Sequence, residues 1–332
     1  MAAGFKGGCP QASAPQPTAC QHRGVPLSFI ARHRPGLRLR LRERSRRWRA
    51  ALLWALAGMA ALAAVATLSG CAALDEQQRK WIFQPGDRTW RGGQMAAEGM
   101  QDVWVPFRSA ASKDEVKLHG LWLPQPRADA PVLLYLHGAR WDVRGSAPRM
   151  RRMHDLGFAV LGIDYRGFGR SSAGLPSEAL AGEDARAAWD WLAKQAPGAQ
   201  RFVFGHSLGG ALAVQLAATV DDEAGLIVEN SFSSIPDVVR TFKWGWLPLG
   251  PLITQKLDAG ARISQVGAPV LVVHGSEDSL IRPELGRSLY EKAQEPKRFM
   301  LVEGGTHHST NSLGQGQYRE ALAQLFGLNL NR

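Results

Sequence analysis

The sequence predicts an α/β domain, a mostly parallel, eight-stranded sheet with helices on both faces. Three observations carry this. Short apolar runs, several of them without alternation, suit strands buried on both sides. These runs alternate with segments of helical period, as parallel βα units do. The third is a serine between glycines, Gly205-His206-Ser207-Leu208-Gly209, set directly after an apolar strand and before an Ala-rich stretch.

Taken in order, the candidate strands begin with Val103–Phe107 and Val116–Leu123, which are the more alternating and suit a sheet edge. Val132–Leu136, Ala159–Ile163, Phe202–Phe204, Leu226–Val228, Val270–Val273 and Phe299–Val302 follow. Helical periodicity falls on Pro148–Leu156, Ser177–Gln195, Gly210–Thr219, Pro283–Gln294 and Gln317–Phe326. The second of these sets Leu180, Asp184, Ala188, Trp191 and Leu192 near one face. One interval breaks the rhythm. Residues 233–266 lie between two strands, carry Trp244, Trp246, Pro248 and Pro251, and read as an inserted cap. The organisation is a basic leader over 1–70, a tether over 71–100 and the α/β domain over 101–330.

Charge follows the same division. The 332 residues hold 40 Lys+Arg and 29 Asp+Glu, a formal net charge of +11. Residues 1–70 contain eleven of the bases and one acid, Glu43, which leaves 29 bases against 28 acids beyond them. The domain is nearly neutral, so charge gives no case for a nucleic-acid partner. Cys9, Cys20 and Cys71 are the only cysteines. Beyond Cys71 there is no thiol for a disulfide framework, a Cys-based zinc site or a cysteine nucleophile. No metal-spacing cluster, phosphate loop or dinucleotide fingerprint stands in the chain, and neither a metal nor a cofactor is expected.

Within the leader, an Arg run over 37–49 precedes the uncharged stretch 50–69 and then Leu68-Ser69-Gly70-Cys71. Basic, apolar and small-residue regions in that order make an export signal. The final four residues resemble the lipobox of bacterial lipoproteins. That resemblance implies lipidation of the Cys71 thiol and an envelope protein held to the membrane at Cys71. Ala72 suits the outer membrane, facing the periplasm. A permanent transmembrane anchor is the alternative, since about 20 apolar residues can span a bilayer. Ser45-Arg46-Arg47-Trp48 weakly resembles a twin-arginine export signal.

The chemistry-bearing motifs cluster at strand ends. A serine on a sharp strand-to-helix turn projects its oxygen above the sheet, and the helix start aims amide N–H groups at developing negative charge. A serine nucleophile needs a base, and the base an orienting acid. Asp278 in Gly275-Ser276-Glu277-Asp278 and His307 in Gly305-Thr306-His307-His308 both follow strands, with Glu277, Glu229 and His308 as alternatives. Together these residues resemble a serine hydrolase of the α/β-hydrolase superfamily over about residues 102–327. Leu136-His137-Gly138-Ala139 resembles its oxyanion loop. Asp164-Tyr165-Arg166-Gly167-Phe168-Gly169-Arg170-Ser171 resembles the turn after the next strand, and Glu229–Ser234 the turn before the cap.

The resemblance implies Ser207 as nucleophile, His307 as base, Asp278 as orienting acid, and the Ala139 and Leu208 amides as oxyanion donors. It implies hydrolysis of a small acyl ester, on a hydrophobic or lipid-derived substrate. Peptidase or amidase chemistry with the same triad, and a non-catalytic envelope binding protein, are the alternatives. Val238, Val239, Phe242, Trp244, Trp246, Leu247, Leu249, Leu252 and Ile253 either line an acyl pocket or pack the cap onto the domain. His137, His206 and His274 are expected to orient loops, and His119 and His154 to lie at the surface or in a satisfied core. Arg140, just past the oxyanion loop, either meets an anionic substrate group or is solvated.

Overall fold

The computed structural model describes residues 35–328. Cys9, Cys20 and the rest of the leader before Pro35, and residues 329–330 of the domain, lie outside them. The chain divides into two units, one ending at Ala64 and one beginning at Val65. Helix α1, Pro35–Phe83, contributes to both. Its Ala- and Leu-rich run is strongly helix-forming, and Leu52, Trp54, Leu62 and Leu68 are exposed. Among the described residues it is the one helix long and apolar enough to cross a membrane. Cys71 lies exposed on it.

In the second unit, strands β1 (Gln101–Arg108), β2 (Glu115–Leu123), β3 (Val132–Leu136), β4 (Ala159–Ile163), β5 (Arg201–His206), β6 (Glu223–Glu229), β7 (Val270–Gly275) and β8 (Lys297–Val302) form one sheet. The order is β1-β2-β4-β3-β5-β6-β7-β8. β1 pairs antiparallel with β2, and β2 with β4. Every other neighbour is parallel. β3 and β4 are buried throughout, while β1 at the edge is largely exposed. The expected eight-stranded, mostly parallel sheet is therefore present.

Two apolar layers sandwich it. Val132, Leu134 and Leu136 of β3 face one layer, with Ala181, Ala188 and Leu192 of α4 (Glu178–Gln195) and Leu212 of α5 (Leu208–Ala217). Leu133 and Tyr135 face the other, with Met150 and Met153 of α3 (Ala147–Asp155) and Tyr318 and Leu322 of the C-terminal helix (Gln315–Phe326). This is the period-two alternation of a strand expressed as two cores.

Residues 72–100, read as a tether, carry structure instead. α1 continues to Phe83, whose ring is fully buried in the first layer. A short helix α2, Arg91–Ala97, follows. The segment is fixed by polar reach as much as by burial. Arg79 Nε donates to the Pro176 carbonyl at 2.9 Å, and Gln78 Nε2 to that of Leu252 at 2.7 Å. Such contacts leave no apolar period in the sequence. The insert 233–266 forms one short α-helix, α6 (Ile235–Arg240), two single-turn 3₁₀ helices (Gly250–Leu252 and Ile263–Gln265) and turns.

Candidate active site

The parallel strands deliver their carboxyl ends, and the predicted residues, to one edge of the sheet. Ser207 follows β5 with φ 57° and ψ −125°, a left-handed conformation that costs a non-glycine residue energy. Its surroundings hold it there. The Ser207 amide donates to Glu229 O at 2.9 Å, and the Ser207 carbonyl accepts from Ser231 Oγ at 2.7 Å. Glycine is required on both sides of the turn. A Cβ on Gly205 would lie 2.2 Å from Gly209 O, and one on Gly209 would lie 2.1 Å from Leu136 O. The close approach of Gly209 to the end of β3 sets the serine beside the Gly138-Ala139 loop. Among the described residues, the Ala139 and Leu208 amides have no protein acceptor.

Asp278 follows β7 and is buried. Its Oδ1 accepts from the Leu280 and Ile281 amides at 3.0 and 2.9 Å, and its Oδ2 lies 2.7 Å from His307 Nδ1. Burial pushes this carboxyl up. The imidazoles of His274 and His307 and the Ile281 amide outweigh it and hold the group well below the usual carboxylate range. His307 follows β8, is nearly buried, and shares with Ser207 a pocket of about 320 Å³.

The alternative assignments separate cleanly. Glu277 is exposed. Glu229 is fully buried and spoken for: Oε1 accepts from Arg149 Nε at 2.7 Å, and Oε2 from the Tyr318 hydroxyl. His308 is exposed and makes no contact with Asp278. Arg149 donates through Nη2 to the carbonyls of His307 at 3.0 Å and His308 at 3.3 Å. The Arg149–Glu229–Tyr318 cluster thus lies beneath the histidine loop.

The remaining histidines brace loops. His206 Nε2 meets His307 O at 3.0 Å, and burial followed by the nearby Arg149 cation keeps its pKa well below the usual value. His274 Nε2 meets Ile281 O at 2.8 Å, and His137 Nδ1 meets Gly138 O at 2.6 Å. His119 is a satisfied core residue between Asp102 (2.7 Å) and Asp164 (3.0 Å). His154 meets Pro124 O at 3.0 Å. Arg166 pairs with buried Asp184, whose carboxyl burial pushes up to about 6.

Two features differ from the sequence expectation. No residue of 233–266 lines the Ser207 pocket. Trp244 and Trp246 are instead exposed at 62% and 74%; the segment that carries them is held by buried Val238 on one side and by Leu252, Gln255, Leu257 and Ala259 on the other. The supposed tether supplies lining in their place: Gln84 in this pocket and Trp90 in the one adjoining. Among the described residues no cluster of three or more His, Cys, Asp or Glu is placed to hold a metal ion.

A serine on a strained turn, a carboxylate-bound histidine and an eight-stranded, mostly parallel sheet define the α/β-hydrolase fold. A family model described as serine aminopeptidase, S33, matches residues 127–257. An uncharacterized protein of Mycobacterium tuberculosis is 34% identical over 240 residues, 71% of this chain and 83% of that protein. The lysophosphatidylserine lipase of Danio rerio is 28% identical over 220 residues, 59% of this chain and 56% of the lipase. The solved Pyrococcus furiosus esterase superposes with a TM-score of 0.57 at 18% identity, over 74% of this chain and 99% of the esterase. The chain has the α/β-hydrolase fold and belongs to the same family as the mycobacterial protein.

Proposed function

We propose that this protein is a serine hydrolase of acyl esters, acting through Ser207, His307 and Asp278. The observation that carries the reading is the 2.7 Å contact between His307 Nδ1 and Asp278 Oδ2 in the pocket of a strained Ser207. Asp278 fixes the tautomer that leaves His307 Nε2 free to accept a proton. Ser207 Oγ then attacks the ester carbonyl as its proton passes to His307. The Ala139 and Leu208 amides receive the oxyanion. The intermediate collapses, His307 protonates the departing alcohol, and an acyl-serine forms. Water, deprotonated by the same imidazole, releases the carboxylic acid. The name of the zebrafish relative favours a lipid-derived ester.

A fluorophosphonate probe tests this. It should label the wild type at Ser207 and leave Ser207→Ala unlabelled, with ester turnover lost by about four or more orders of magnitude. A folded wild-type protein that takes no label returns the reading to a non-catalytic envelope binding protein. The description of the matching family model favours a second reading, aminopeptidase or amidase chemistry. A series of peptide amides run beside acyl esters decides between them by kcat/KM.

We further propose that the protein is exported and lipid-anchored through Cys71 in a bacterial envelope, on the outer membrane facing the periplasm. The uncharged run before the exposed thiol supports this reading. Cys71→Ser should leave the precursor unprocessed and unlipidated. Normal processing of that variant would instead point to cleavage elsewhere, and an uncleaved wild type to a permanent anchor.

A further inference from the structure

The pocket that holds Ser207 adjoins a second, of about 430 Å³, and Trp141, Gly145, Arg149 and His308 line both. The two form one groove with a consistent charge. Neither pocket is lined by an aspartate or a glutamate. Three arginines line them: Arg140 in the first, Arg152 in the second and Arg149 in both. Arg149 is neutralised by Glu229 at 2.7 Å. The other two have no carboxylate. Arg140 Nε donates to Gln84 Oε1 at 3.3 Å and Arg152 Nε to Asn311 Oδ1 at 2.7 Å, both neutral amide oxygens. Among the described residues neither arginine takes part in an ion pair within 4.0 Å.

Arg152 is the more telling of the two. It is half-buried, so its charge is poorly screened by water, and its Nη groups remain available for recognition. Burial, then the neighbouring Arg149 cation, lower its pKa, and the Glu229 carboxylate, already paired with Arg149, offsets only part of this. The same field reaches His308, where burial and then the neighbouring His307 ring and Arg149 cation depress the imidazole, with Arg140 adding to them. A buried or half-buried charge without a counter-charge is costly. A planar guanidinium offers paired donors that match an oxyanion. Trp90, Trp141 and Pro148 wall the same pocket with apolar surface.

We propose that this second pocket is the subsite for an oxyanion carried by the substrate, a phosphate or carboxylate group held by Arg152, with Arg140 adding to the attraction at the Ser207 side. The inference rests on the hydrolase reading and narrows it to esters with an anionic group beside the scissile bond. The aromatic walls suit the carbon chain between ester and anion.

The test compares three esters of one acyl chain: 1-acylglycerol, 1-acylglycerol 3-phosphate and the acyl ester of glyceric acid. Rates are normalised to the Ser207 population titrated with a fluorophosphonate, so that an unfolded fraction does not count. Wild type should favour an anionic ester over the neutral one by about tenfold or more in kcat/KM. The preferred anion tells phosphate from carboxylate. Arg152→Gln should cut that anionic-to-neutral ratio about tenfold, while Arg152→Lys, which keeps the charge, should retain most of it. Arg140→Gln, at an exposed position, should lower the ratio less and serves if Arg152→Gln does not fold. A wild-type ratio near one, or a ratio untouched by both glutamine variants, overturns the subsite and leaves the hydrolase reading intact. Turnover of none of the three, with Ser207 unlabelled, overturns both.

Discussion

Replacing Arg149 with methionine should damage stability and catalysis by separable routes. Arg149 forms a buried ion pair with the fully buried Glu229, and its Nη2 supports the carbonyls of His307 and His308. Removing the cation strands a carboxylate whose one other side-chain partner is the Tyr318 hydroxyl. Breaking one half of a buried pair costs about 3–5 kcal/mol. The lost donors to the histidine loop carry a charge-assisted value of about 1.5–3 kcal/mol each, part of it already within that total. The double variant Arg149→Met with Glu229→Gln removes the stranded charge and should recover most of the stability. It restores no donor to His307 O, where only His206 Nε2 at 3.0 Å remains. Its kcat on a neutral ester should therefore stay about tenfold or more below wild type, as small misplacements of a catalytic group cost that much. Urea denaturation gives the first quantity, and turnover per titrated Ser207 the second. The reasoning fails if Arg149→Met alone unfolds within about 1 kcal/mol of wild type, or if the double variant regains both stability and kcat.

Gly209→Ala should destabilise the fold by about 1–3 kcal/mol or more and abolish turnover. Its Cβ would stand 2.1 Å from Leu136 O and 2.6 Å from His137 O, so β3 and the serine turn must part; a thermal melt and an ester assay check this, and an active, equally stable variant contradicts the geometry. His307→Ala should abolish turnover while His308→Ala keeps it, and the reverse would move the base to His308. Asp278→Asn should lower kcat by about 10⁴, through loss of the oriented tautomer. The Asp278 carboxyl also predicts an acid-side slope in stability. Its folded pKa lies below the unfolded value of about 3.9, so its contribution is present above that value and lost as pH falls through the folded one. Between pH 6 and pH 3 the wild type should lose more stability in urea than Asp278→Asn does; equal losses would mean the carboxylate is not held in its charged form.

The sheet was legible because its strands are buried runs. Val132–Leu136 and Ala159–Ile163 agree with the structure to the residue. The burial of β3 and β4 on both faces leaves no room for polar interruption. Helix α4 shows where periodicity stops being enough. The sequence set Trp191 on its inner face, yet Trp189 is the buried one. Trp189 Nε1 donates to Asp222 at 2.8 Å, and Arg201 stacks on its ring at 4.5 Å. Those partners sit on other elements and are invisible to a helical wheel. Ser207, Asp278 and His307 were legible as motif residues at strand ends. The Arg149–Glu229 pair was not, because Arg149 reads as the polar side of an amphipathic helix. A signal did exist. Glu229 closes a strand directly after the apolar run Leu226–Val228, and a carboxylate in that position needs a buried cation.

That same strand end ties the site together although it contributes none of the three proposed catalytic side chains. The Glu229 carbonyl receives the Ser207 amide, and the Glu229 carboxylate fixes the arginine that supports His307. Asn230, at φ 48°, donates Nδ2 to Thr306 O at 3.1 Å and accepts the Gly275 amide on Oδ1 at 3.2 Å. One side chain therefore bridges the loop that bears His307 and the strand that leads to Asp278. Ser231 Oγ closes the set on the Ser207 carbonyl at 2.7 Å. Three consecutive residues thus hold all three loops to a central parallel strand, where local opening costs most. Placing the binding elements on loops and the registration on a buried strand lets the cap and the N-terminal segment change without moving the serine relative to the histidine. In the proposed subsite Trp90 sits on the changeable side of that division, whereas Arg152 rides on α3, which packs against the sheet.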